Sequence, residues 1–97
     1  MKWWLAESRT QTQVDVAVEV QAETVWKVIL YDDDIHTFEE VINQLVKATG
    51  CSVGRAEDLS WKVHREGKAR VFEDEFEPCF KVQGVLKEIG LVTEIRG

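Results

Sequence analysis

Ninety-seven residues, 44% of them hydrophobic and 31% charged, suit one globular domain that buries roughly two thirds of its unfolded surface. A formal net charge of −6 disfavours a nucleic-acid backbone as partner and favours a cationic one. No apolar run reaches about 18 residues and no charged-then-apolar leader opens the chain, so neither a membrane span nor a secretory signal is expected.

Residues 1–12 carry no hydrophobic period, and Ser8 to Gln13 is polar. Val14, Val16, Val18 and Val20 then alternate with Asp15, Ala17, Glu19 and Gln21, the period of a half-buried strand over 13–21. Left unpaired, its valine face would meet water. The expectation is that it extends the domain's own sheet as an edge strand or pairs with a second copy in a dimer. Residues 1–24 therefore read as an extension and 25–97 as the folded domain.

Val25 to Tyr31 is rich in β-branched and aromatic residues, which predicts a strand. It runs straight into Asp32, Asp33 and Asp34. Thr37 and Glu40 behind them stand at the spacing of a capping box, in which hydroxyl and carboxylate satisfy each other's free backbone N–H groups. Acids at a helix start also suit its positive end. On these residues alone the acidic run is a solvated turn followed by helix-start chemistry.

Phe38, Val41, Ile42, Leu45, Val46 and Thr49 share one helical face, and Gly50 supplies the stop. Ser52 caps a second helix with Val53, Ala56, Leu59, Ser60 and Val63 on its buried side and Trp61 pointing away; Gly67 ends it. His64, near that end, is by itself a histidine favoured by the helix dipole. Ala69 to Phe72 predicts a short strand, with Asp74 or Glu75 as the next cap. Pro78 suits the first turn of a third helix, whose buried side would be Phe76, Cys79, Phe80, Val82, Leu86 and Ile89. Gly84 within it costs about 1 kcal/mol relative to Ala. Gly90 would stop this helix, and Leu91 to Ile95 would close the sheet. The fold class is α+β, a β-α-α-β-α-β sandwich with a three-stranded antiparallel sheet and helices on one face.

Cys51 and Cys79 have no partner at zinc spacing and read as reduced core thiols of an intracellular protein. A metal-dependent enzyme built on Asp32, Asp33, Asp34 and His36 is disfavoured. Consecutive side chains do not converge easily on one ion, and the Asp-x-Asp-x-Asp-Gly calcium loop is absent. No cofactor, metal or catalytic residue is expected.

Two motifs carry a resemblance: Trp26-Lys27-Val28-Ile29-Leu30-Tyr31-Asp32-Asp33-Asp34 and Val63-His64-Arg65-Glu66-Gly67-Lys68-Ala69. In this order and at this separation they resemble the ATP-dependent Clp protease adaptor family, ClpS, over roughly Val25 to Ile95. The resemblance implies a non-enzymatic adaptor that binds the free α-amino group of a substrate's first residue. Asp32, Asp33, Asp34 and His64 would hold the amine, with Asp32 where the family has Asn. An ammonium has three donors, and convergent carboxylates give it charge-assisted bonds.

The first side chain would enter a pocket lined by Phe38, Val41, Ser60 and Val63. Two of these depart from the family: Phe38 replaces a Met that gates the pocket, and Ser60 replaces an apolar residue. The partners implied are substrates with a free N-terminus and the N-terminal domain of a Clp ATPase of the ClpA or ClpC type. Lys81 stands near the family's docking position on the third helix. The resemblance implies a cytoplasmic location, or a plastid stroma in a photosynthetic eukaryote, with no nucleic-acid or membrane partner. A pure interaction module that keeps the fold and has lost the amine site is the alternative; similar folds occur in the ribosomal stalk protein's C-terminal domain.

Overall fold

The structure, a computed structural model, describes residues 25–97. The reading of 13–21 as a strand, on the sheet or in a dimer, lies outside the described residues. The elements are strand β1 (Trp26–Tyr31), helices α1 (Phe38–Thr49) and α2 (Val53–Glu66), strand β2 (Lys68–Asp74), helix α3 (Phe76–Lys87) and strand β3 (Thr93–Arg96). The sheet is antiparallel, with β1 central in the order β2-β1-β3.

Alternation along β1 sends Val28 and Leu30 into the core, where both are fully buried, and leaves Lys27, Ile29 and Tyr31 on the opposite face. Strand β2 is longer than the predicted Ala69 to Phe72, because it follows β1 along its whole length, from Tyr31 opposite Lys68 to Trp26 opposite Asp74. A bulge between Val28 and Ile29 leaves Val71 without an opposite number, and Val71 is buried. Strand β3 is shorter and later than predicted: Leu91 is buried in the core instead, and the Val92 carbonyl accepts the Tyr31 N–H.

The first two helices start and stop where local chemistry directs. The Thr37 hydroxyl accepts the Glu40 N–H, and the Glu40 carboxylate accepts the Thr37 N–H, so the capping box is complete. Ser52 caps α2 by accepting the Arg55 N–H. Gly50 and Gly67 end these helices at φ +75 and +86, the left-handed conformation that costs glycine least.

Helix α3 departs from expectation in two ways. Its buried residues are Cys79, Val82 and Leu86, whereas Phe76, Phe80 and Ile89 are 48%, 59% and 36% exposed. Phe76 and Phe80 instead stack on each other, and Phe76 meets the edge of Trp26 at 5.2 Å, a satellite cluster at the rim. The helix also ends at Lys87, before Gly90. Its chain unwinds through two tighter turns, Glu88 N–H to Val85 and Gly90 N–H to Lys87, with Gly90 at φ +84. Gln44, not singled out from sequence, is buried against this end. Its amide donates to the Val85 carbonyl at 2.6 Å and to the Glu88 carboxylate.

Candidate functional site

The acidic turn hangs between two fixed points. The Tyr31 N–H donates to Val92 and the Asp32 N–H donates to Gly67, the residue that ends α2. Because His64 lies in the last turn of α2, this second bond carries it to the turn. His64 Nδ1 stands 3.8 Å from a carboxylate oxygen of Asp32, and both side chains are exposed. An exposed pair at that distance contributes little to stability. Both groups stay available to a third partner.

Asp33 is used differently. One of its oxygens accepts the N–H groups of Ile35 and His36, both at 2.9 Å, and the other faces His36 Nδ1 at 2.8 Å. Burial acts to raise its pKa, but the bonds from the His36 N–H, the His36 ring and the Ile35 N–H outweigh it and hold the carboxyl below its ordinary value. Three of about four acceptor positions on Asp33 are therefore engaged by its own turn. Asp34 carries no such bonds among the described residues.

His36 bridges the turn to a distant segment. Its Nδ1 faces Asp33 and its Nε2 faces the Ile89 carbonyl, both acceptors. A neutral imidazole has only one N–H, so both contacts are satisfied only by the imidazolium. The Ile89 carbonyl, and after it the Asp33 carboxylate, raise the His36 pKa against the opposing effect of burial.

Beneath the turn lies a cavity of about 180 Å³ lined by Leu30, Tyr31, Asp32, Asp33, Asp34, His36, Phe38, Val41, Ser60, Val63, His64 and Leu91. The structure thus brings Asp32, Asp33, Asp34, His64, Phe38, Val41, Ser60 and Val63 to one cavity. Its mouth is acidic and its walls are largely apolar. A cavity of about 150 Å³ suffices for benzene, so this one has the volume of an aromatic ring or a branched aliphatic side chain.

Phe38 does not fill it. Its ring leans on α2, edge-on to Trp61 at 4.5 Å and to His64 at 5.5 Å, so one wall is an aromatic trio. Ser60 is buried and donates its hydroxyl back to the Ala56 carbonyl at 2.8 Å, which makes it a small, internally satisfied wall. Leu30, Tyr31, His36 and Leu91 also line the cavity, which sequence reasoning missed. Only His36 has a local signal, its spacing of three from Asp33 before a helix cap.

Lys81 is exposed on α3 and does not line the cavity. Among the described residues no group of three or more His, Cys, Asp and Glu side chains is placed to hold a metal ion. Nor is any helix among them long and apolar enough to cross a membrane.

A three-stranded sheet backed by helices, with a one-side-chain cavity under an acidic rim, defines a small recognition domain. The family model for the ATP-dependent Clp protease adaptor protein ClpS matches residues 21–89, and the chain belongs to that family. The solved structure of Agrobacterium tumefaciens ClpS2 bound to L-phenylalaninamide superposes with a TM-score of 0.68 at 25% identity, covering 75% of this chain and 95% of that one. The chain is also 40% identical over 55 residues to the Drosophila melanogaster E3 ubiquitin-protein ligase UBR1, and 29% identical over 83 residues to Mus musculus UBR2. These stretches are 57% and 86% of this chain but only 3% and 5% of the two ligases.

Proposed function

We propose that this chain is an adaptor that holds the free N-terminal residue of a protein substrate and delivers it to a Clp AAA+ unfoldase. The observation that carries this is the cavity itself: acceptors from the β1–α1 turn and from the end of α2 meet at its mouth, above a chamber sized for one side chain. The L-phenylalaninamide bound to the Agrobacterium protein is an amino-acid amide with a free amine and an aromatic side chain, the chemistry this arrangement suits. Asp32, Asp34 and His64 supply the acceptors. Asp33 keeps the turn closed and adds its charge and remaining lone pair. Phe38, Val41, Ser60 and Val63 contact the first side chain.

Each charge-assisted bond to the ammonium contributes about 1.5–3 kcal/mol net, and burying a Leu- or Phe-sized side chain about 1.5–3 kcal/mol. After the cost of association these support affinity on the order of micromolar. The chain does no chemistry of its own in this reading. Its second partner is the N-terminal domain of a ClpA- or ClpC-type ATPase, docked near Lys81. The free thiols of Cys51 and Cys79 suit a reducing compartment such as the cytoplasm.

The test is a titration with peptides that differ only in N-terminal acetylation. Acetylation removes the ammonium and should abolish binding. Affinity for the free peptide should also fall as pH rises through the amine's pKa of about 7.7–8.0. Equal affinity for both peptides would end the proposal.

A further inference from the structure

The face of the sheet opposite the core has a different character from the acidic turn. There Lys27 lies beside Arg96 of β3, Ile29 beside Arg70 of β2, and Tyr31 beside Lys68. Ile29 is only 8% exposed although it stands outside the main core cluster. It sits at the floor of a groove of about 500 Å³ whose walls include Lys27, Arg70 and Arg96 from the three strands and Arg55 and Lys62 from α2. The groove continues into a neighbouring hollow that adds Lys68. Half of the chain's 12 lysines and arginines thus gather along one channel of a protein whose net charge is −6.

Carboxylates are present but do not neutralise the channel. Asp58 and Glu66 lie in its walls. Arg70 pairs with Glu73 at 3.0 Å and Arg96 with Glu94 at 3.1 Å. Arg96 also donates to the Tyr31 hydroxyl, and Lys68 lies over the Tyr31 ring. Each guanidinium has five N–H donors, so one carboxylate leaves donors on both arginines. Lys27, Arg55 and Lys62 have no ion pair among the described residues.

We propose that this groove docks an acidic segment of a partner protein, an extended stretch carrying several Asp or Glu side chains. The planar forks of Arg55, Arg70 and Arg96 suit discrete carboxylates, which they can bind through two parallel bonds. Ile29 and Leu59 offer an apolar floor for the segment's backbone and intervening side chains. A nucleic acid fits less well. Its continuous phosphate track would have to pass Asp58, Glu66, Glu73 and Glu94, and the protein's overall charge opposes its approach. The groove shares no residue with the cavity under the acidic turn, so the two sites can be occupied at once.

The experiment uses the full chain and a fluorescent, N-acetylated peptide of alternating Glu and Ser, with a Gln-for-Glu peptide as control. The residues changed below, Arg55 and Lys62, do not line the cavity under the acidic turn, so their effect is independent of the function proposed above. The Glu peptide should bind, the Gln peptide should not, and added salt should weaken binding. Arg55→Glu combined with Lys62→Glu, on the exposed side of α2, should lower affinity about tenfold or more. Arg55→Gln with Lys62→Gln should lower it less, and thermal unfolding should show both variants folded. Absence of Glu-peptide binding, or equal binding by the charge-reversed variant, overturns the proposal. So does tighter binding of a single-stranded oligonucleotide than of the Glu peptide, which would assign the groove to nucleic acid.

Discussion

Phe38 occupies one wall of the cavity, and its neighbours restrict how it can respond to a guest. Its ring has two χ angles, and Trp61 meets it edge-on at 4.5 Å with His64 behind. A methionine at the same place would bend around different side chains. The wild-type cavity should therefore accept a narrow set of first residues, and Phe38→Met should widen that set. The relative affinities of a peptide panel varied only at position one should change by about 1–3 kcal/mol, roughly ten- to two-hundred-fold. An identical ranking and spread for both proteins would show that Phe38 does not select.

Among the elements, α1 and α3 share an apolar contact through core residues such as Leu45 and Leu86, and one buried polar residue bridges them. Gln44 is 8% exposed, and its amide donates to the carbonyl of Val85 where the helix begins to unwind. Glu88, next to this point, also receives Lys47 at 2.9 Å. Lys47 and Gln44 lower the Glu88 pKa, in that order. The salt bridge is exposed and contributes little. The buried amide contributes more: Gln44→Ala should destabilise the domain by about 1–2 kcal/mol, while Lys47→Ala should cost less. Urea unfolding of the two variants measures the difference, and the opposite order would place the polar part of the α1–α3 contact on the surface pair.

At the scale of the whole molecule, His36 ties the turn after β1 to the segment after α3, and its two acceptors require the charged ring. Its folded-state pKa is raised above the unfolded value of about 6.5. The stability it contributes is thus complete below about pH 6.5 and is lost as pH rises through the higher folded value. Asp33, whose folded pKa is lowered, has the complementary dependence. Its contribution is complete above the unfolded value of about 3.9 and is lost as pH falls through the lower folded value. Wild-type stability should therefore decline on the alkaline side of about pH 6.5 by more than that of His36→Gln. Parallel stability profiles for the two proteins would show that the ring is not held as an imidazolium.

Local chemistry was enough to place most of the elements. The capping box of Thr37 and Glu40, the Ser52 cap and the left-handed glycines at 50 and 67 act within a few residues, so the sequence displays them directly. The helical period places Val41 on the inner face of α1 and Ser60 and Val63 on that of α2 before any packing is known, whereas their place in a side-chain cavity was implied by the resemblance to the adaptor family. Other features depended on which surfaces meet. Helix α3 has apolar residues on more than one side, and only packing against the sheet buries Cys79, Val82 and Leu86 while leaving Phe76 and Phe80 at the rim. Asp33 is indistinguishable from its neighbours until the turn geometry engages both of its oxygens. The contact of His36 with Ile89, and the meeting of Lys27, Arg70 and Arg96 with Arg55 and Lys62, join positions far apart in the chain. Periodicity and capping are short-range, whereas these contacts follow from sheet register and helix docking, which only the folded chain decides.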